Sequence, residues 1–334
     1  MKKVFCFGEL LLRMSPELNR RWIRDAHIPV YIGGAELNVA TALAKWNVPS
    51  KYGTALPDTY FSKEIRDELQ MKNIDTSGIH FSGRRIGIYY LPQGADLKNT
   101  AVIYDRDHSS FSALKPGMLN WDELLEDCGW FHFSAISPAL NDTIAAVCKE
   151  GLQAASAKGL TISVDLNYRA KLWQYGKSPV EVMPELVTYC NVVMGNIWAA
   201  EILLGLQSNI KESKGKSNET LIEGAGNSMK QMHLSYHKIT AMAYTFRLEE
   251  SYFAVLQHGV VMKVSKDYPL INIADKAGSG DCFMGGLIYG LVNQHQPQDI
   301  INFAGAAAVG KMREKGDATN QTIADVKKII AEHE

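Results

Sequence analysis

Short apolar runs of strand length recur along the chain, among them "VFCFG" (4–8), "ISVDLN" (162–167), "NVVMGN" (191–196) and "VVMKV" (260–264). Between several of them lie longer stretches with apolar positions at helical spacing, such as "NDTIAAVCKEGLQAASAKG" (141–159). Strands alternating with helices predict parallel βαβ units and a sheet covered by helices on both faces. The chain closes with an alanine-rich helix in "NFAGAAAVGKMREKG" (302–316) and an amphipathic one in "TIADVKKIIAEH" (322–333). Two segments break the alternation and read as hairpin strands: 21–34, "RWIRDAHIPVYIGG", and 85–106, "RIGIYYLPQGADLKNTAVIYDR", which turns at "PQGADLKN". Strands inserted into the connections of such a sheet form a flap over its ligand end. The polar, lysine-rich segment 207–228 reads as a solvated surface insertion.

Composition narrows the class. The 334 residues suffice for one large α/β domain or two smaller ones. Hydrophobic residues at 46%, charged residues at 21% and a net charge of −1 describe an ordinary globular protein with no electrostatic case for nucleic acid or a membrane surface. No run of ~18 apolar residues predicts a membrane span. "MKKVFCFGELLLRMSP" imitates a signal peptide, but Gly8, Glu9 and Arg13 interrupt it and no small-residue cleavage site follows, so it reads as a first strand. Five scattered cysteines without Cys-x-x-Cys spacing read as reduced, buried and cytoplasmic.

The candidate chemistry centres on "DKAGSGDCFMGG" (275–286). A dinucleotide fingerprint fails because Met284 stands where the third glycine belongs, and a Walker loop fails for lack of Gly-Lys-Ser/Thr. A phosphate cradle survives, since glycines let successive amides converge at a positively polarised helix start. Asp281 beside an anion site either accepts a proton from an attacking hydroxyl or caps a helix beginning near Cys282.

"GGAELNVATALA" (33–44) together with "D-x-A-G-S-G-D-C-F" (275–283) resembles the paired signatures of the ribokinase-like (PfkB) carbohydrate kinases, over essentially the whole chain. The resemblance implies a three-layer α/β/α sandwich with a mostly parallel central sheet and a small β-sheet lid. Residues 1–12, 36–82 and 109–334 would form the core, and 13–35 and 83–108 the lid. It implies ATP and magnesium as cofactors. It also implies an anion hole from the backbone of Ala277, Gly278, Ser279 and Gly280, and Asp281 as the catalytic base.

Within the family, "GELLLRMSP", "RIGIYYL", "VIYDRDHSSFS", "WFHFSAISPAL" and "DLNYRAKLW" resemble the kinases of 2-keto-3-deoxygluconate. A sugar acid carries a carboxylate that needs cations, and Arg106 and Arg169 supply them. By resemblance Gly34, Tyr90, Tyr104, Arg106 and Arg169 line the sugar pocket. Flap core is the lesser alternative for both tyrosines, since aromatic residues favour strands, and it is weaker for Tyr104, which shares a strand face with Arg106. Asn38 and Asp165 are further candidates, against a helix cap and a structural strand-end carboxylate. Arg13 is set aside because a surface salt bridge explains it as well.

The sequence departs from the family on the nucleotide side. In the usual Asn-x-x-Glu, Asn196 is present but Ala199 replaces the glutamate; Glu201 points about 200° away on a helix. Ala277 stands for the usual threonine, and Arg247 for a glycine at a strand end. Arg247 or Lys276 could place a cation near the polyphosphate, with a plain surface residue the alternative. Nucleotide contacts are assigned to Asn196, Arg247, Gly278 and Gly280; the remaining magnesium ligands come from water and ATP oxygens. Ile28, Val30 and Ile32 on an exposed flap edge imply a homodimer or higher homo-oligomer. The rivals are a kinase of another sugar or nucleoside, a catalytically impaired sugar-acid-binding paralogue, and an NAD-dependent dehydrogenase.

Overall fold

The computed structural model describes residues 1–16, 27–93 and 102–333. The chain begins with β1 (Lys3–Phe7) and β2 (Leu11–Met14), and β3 (Val30–Gly33) leads into α1 (Ala35–Lys45), β4 (Ser50–Leu56) and α2 (Tyr60–Met71). Short strands β5 (Ile74–Asp75) and β6 (Ile79–Phe81) precede β7 (Gly87–Tyr90), β8 (Ile103–Asp105) and the single turn α3 (Trp121–Leu124). Regular alternation follows through β9 (Cys128–Ser134), α4 (Asp142–Ala157), β10 (Thr161–Asp165), α5 (Pro179–Val187), β11 (Val192–Gly195), α6 (Ile197–Leu204) and α7 (Asn218–Ser235). The last third holds β12 (Ala241–Arg247), β13 (Ser251–His258), β14 (Val261–Val264), β15 (Tyr268–Pro269), α8 (Ser279–Val292), α9 (Pro297–Met312) and α10 (Ile323–Ala331).

The large sheet runs β14-β13-β12-β11-β10-β9-β1-β4-β5, with β15 on β13 and β6 on β4. Its pairs from β5 to β12 are parallel, and β13 and β14 add an antiparallel edge. Strand alternation divides the core into two layers. Phe5 and Phe7 of β1 pack with α4 to α7 on one face, whereas Val4 and Cys6 pack with α1, α8 and α9 on the other. Successive strand side chains point to opposite faces, so one strand serves both layers. This is the ribokinase-like α/β/α arrangement.

A second, small sheet of order β3-β2-β7-β8 stands apart. β7 and β8 pair antiparallel as expected of 85–106, while their turn, 94–101, lies outside the described residues. Of 21–34, residues 21–26 lie outside the described residues, and the strand that is described there, β3, pairs antiparallel with β2, which starts at Leu11. Arg13 is corrected. It is fully buried, and its Nη1 donates to Asp275 at 2.7 Å and Asp317 at 2.8 Å.

The stretch 207–228 is only partly a surface loop. From Asn218 it is the first half of α7, started by Ser217, whose Oγ accepts the Thr220 amide. Leu221, Ala225 and Ser228 are buried there at i, i+4, i+7 spacing, so a helical stripe outweighs the lysines before it. All five cysteines are buried free thiols.

Candidate active site

A cavity of about 590 Å³ opens where the C-terminal ends of β10, β11 and β12 meet the start of α8 and the small sheet. Helix α8 begins at Ser279, three residues before the expected Cys282, because Gly278 takes the helix-starting position with φ 74°. That left-handed backbone suits glycine, and a Cβ there would lie 1.7 Å from the Asp317 carbonyl oxygen. Gly280 differs: a Cβ would meet no heavy atom within 4 Å, so the fold does not require a glycine there. The first intrahelical bond is Cys282 N–H to Gly278 O, which leaves the amides of Gly280 and Asp281 without a helix acceptor. Bare amides, helix polarity and open space together fit a phosphate.

Asp281, 8% exposed, makes no side-chain cap of α8, so the capping alternative falls. Its Oδ2 instead accepts from Asn38 Nδ2 at 2.7 Å. Burial raises its pKa to about 6, against the lowering effects of the Asn38 hydrogen bond and the Arg169 charge. Asn38 lies one turn into α1, its N–H bonded to Gly34 O, so it is not a cap either. Its Oδ1 is buried without a partner.

The expected residues converge on this cavity, with two exceptions. Gly34, Asn38, Tyr104, Arg106, Asp165 and Arg169 line it, as do Asn196, Ala199, Arg247 and Lys276 and the Gly278–Asp281 turn. Ala277 does not: it is 1% exposed and its amide donates to Asp275 Oδ1 at 3.2 Å, which removes it from an anion hole. Tyr90 is replaced by Tyr89, because the register of β7 turns residue 89 toward Tyr104 and residue 90 away. The Tyr89 hydroxyl donates to Asp317 Oδ2.

Arg106 is already engaged, both Nε and Nη2 donating to Glu9 Oε2. Arg169 donates Nη1 to the Tyr168 carbonyl at 3.0 Å. Asn196 caps α6 by accepting the Ala199 amide at 2.9 Å, and Glu201 is outside the cavity lining, as its helical angle requires. Among the described residues no three His, Cys, Asp or Glu side chains converge as a metal site. Glu9, Glu36 and Asp317 also line the cavity. Glu9 and Glu36 were visible as acids within apolar stretches beside glycines; Asp317 lies in a loop with no local signal.

A sequence model of the pfkB family carbohydrate kinases matches residues 1–324. The chain belongs to that family. The crystal structure of a 2-dehydro-3-deoxygluconokinase from Thermotoga maritima is 31% identical and superposes with a TM-score of 0.89, covering 99% of this chain and 100% of that one. A PfkB family carbohydrate kinase from Listeria grayi is 27% identical with a TM-score of 0.85, covering 99% and 100%. A 2-dehydro-3-deoxygalactonokinase from Haloferax volcanii is 26% identical over 327 residues, 97% of this chain and 95% of that protein. The chain is therefore a sugar kinase close to those of 2-keto-3-deoxy sugar acids. No helix among the described residues is long and apolar enough to cross a membrane.

Proposed function

We propose that this pfkB kinase transfers the γ-phosphoryl group of ATP to the terminal C6 hydroxyl of 2-keto-3-deoxygluconate, giving 2-keto-3-deoxy-6-phosphogluconate. The observation that carries the reading is Asp281 in one cavity with bare helix-start amides and with Arg169, whose charge it feels. Asp281 takes the hydroxyl proton, and Asn38 holds its carboxyl toward that hydroxyl. The amides of Gly280 and Asp281 receive the charge that develops on the transferred group. Arg169 orients the substrate carboxylate, and Arg106, braced by Glu9, contributes from the small-sheet side.

ATP phosphates fit the space at Gly280, with Arg247 and Lys276 as flanking cations. Magnesium accompanies the nucleotide and neutralises phosphate charge when bound, drawing most ligands from water and ATP oxygens. The small sheet acts as a lid that excludes competing water. Its edges carry exposed Val30 and Ile103, which suit a homodimer formed through the lids. Buried free thiols and use of ATP suit a cytoplasmic enzyme.

The test is ATP-dependent phosphorylation across acidic and neutral sugars by wild type and Asp281→Asn. Turnover of the sugar acid that the substitution abolishes is the expected result. Preference for a neutral sugar would make the chain another kinase of the family, and sugar-acid binding without turnover would make it an impaired paralogue.

A further inference from the structure

One buried carboxyl in the cavity has no part in the chemistry outlined above. Glu36, in the first turn of α1, is 1% exposed. It forms no ion pair among the described residues, although acids buried so deeply are normally paired. Its Oε1 is saturated, accepting from Ser134 N–H at 2.9 Å, Ser134 Oγ at 2.7 Å and Ser137 Oγ at 3.4 Å. Oε2 receives no hydrogen bond from another described residue. It lies over Gly8, where a Cβ would stand 1.9 Å away, so any other residue at position 8 would drive the carboxyl out of place. The site thus clears backbone for Glu36, which lines the cavity, grips one oxygen through the serines and, beyond the residue's own amide, leaves the carboxyl with acceptor capacity.

We propose that Glu36 determines sugar specificity, its Oε2 accepting a hydrogen bond from a secondary hydroxyl of the acceptor. The inference rests on the polyhydroxy-acid reading above. A carboxylate only accepts, so its partner must be a donor, and the hydroxyls of a sugar chain are the donors available. A site built to bond a hydroxyl rejects a substrate that aims it elsewhere, because the buried acceptor is then unpaired. The gluconate and galactonate forms of a 2-keto-3-deoxy acid differ only in the direction of the C4 hydroxyl.

Burial raises the Glu36 pKa to about 7 against the Ser134 hydrogen bonds, so near neutrality a hydroxyl competes with a proton for this carboxyl. The titratable groups facing it are Cys6, Tyr52, Cys148 and Asp281. Burial keeps the two thiols and the phenol neutral at pH 7, and Asp281 titrates at about 6.

The test compares wild type and Glu36→Gln on 2-keto-3-deoxygluconate and its C4 epimer. Glutamine keeps the shape and an acceptor for the serines. The expected result is a sugar KM raised about tenfold or more, an unchanged ATP KM, and a ratio of kcat/KM between epimers driven toward one. An unchanged sugar KM and epimer ratio would overturn the proposal and leave Glu36 a tie between α1 and β9. Should Glu36→Gln not fold, Glu36→Asp, which keeps the carboxylate but withdraws it by one methylene, takes its place in the same comparison. A raised sugar KM with an altered epimer ratio supports the proposal; an unchanged KM and ratio overturn it. If wild type turns over neither epimer, the acceptor reading fails separately. The same Glu36→Gln comparison on the neutral sugar it does phosphorylate, and that sugar's epimer, then supports or overturns the role of Glu36 by the same two results.

Discussion

Replacing Gly280 by alanine separates the phosphate-cradle reading from a packing role. Cα–Cβ bonds tilt toward the helix N-terminus, so the new methyl projects toward the proposed anion site. The fold has room for it, with no heavy atom within 4 Å of the added Cβ. Gly→Ala within a helix stabilises by about 0.5–1 kcal/mol, which in a chain of this size raises Tm by about 1–3 °C. A phosphate displaced from the Gly280 and Asp281 amides loses a charge-assisted hydrogen bond of about 1.5–3 kcal/mol. That corresponds to a loss of about 10- to 150-fold in kcat/KM for ATP, with the sugar KM nearly unchanged. Thermal unfolding and two-substrate kinetics on one preparation give both numbers. Gly278→Ala is the contrasting control: positive φ and a 1.7 Å approach to Asp317 O predict destabilisation of about 2–5 kcal/mol. Unaltered ATP kinetics in Gly280→Ala would refute the cradle, and a lowered Tm would refute the claim of open space.

Three more outcomes follow from the same geometry. Because the base must be ionised and burial raises Asp281 to about 6, kcat/KM for the sugar rises with pH through about 6 in Glu36→Gln, where Glu36 no longer titrates alongside it; adding Asn38→Ala, which removes a bond that lowers this pKa, moves that midpoint upward. A rate independent of pH between about 4.5 and 7.5 would argue against Asp281 as the base. Arg13→Met leaves Asp275 and Asp317 buried without their shared donor and costs about 3–5 kcal/mol by denaturant unfolding, where an exposed pair would cost at most about 1 kcal/mol. Gly8→Ala drives a Cβ against Glu36 and raises the sugar KM as Glu36→Gln does, with a stability loss of about 1–3 kcal/mol.

Elements with strong local patterns were legible before the fold was known. The alternation of Val4 and Cys6 with Phe5 and Phe7 marks a strand covered on both faces, and both layers use it. What escaped depends on register or on distant partners. Two adjacent tyrosines in "GIYYL" give no local reason to choose one face. The choice is made by pairing with β2, which sets Tyr89 opposite Arg13. Glycine's low helix propensity puts the start of α8 late in the sequence, yet positive φ at Gly278 begins the helix at Ser279 and the open site tolerates Gly280. Motif position alone points Ala277 at the anion site, and the loop turns its amide onto Asp275 instead.

Arg13 shows how much of the site's geometry lies outside its motifs. The guanidinium belongs to β2, yet it bridges Asp275, just before α8, and Asp317, 304 residues along the chain. Asp275 in turn accepts the Ala277 amide, the Asp317 backbone lies under Gly278, and Tyr89 of β7 donates to the Asp317 carboxylate. Lys311 is fully buried in the same neighbourhood, its pKa lowered by burial against the pull of Asp275 and Asp317. Buried charges of this kind tolerate little displacement, since separating one partner leaves another desolvated and unpaired. The small sheet and the first turn of α8 are therefore fixed to each other through one ionic cluster. Arg13 reads as an incidental surface cation in sequence because its partners come from loops that only the finished fold brings together.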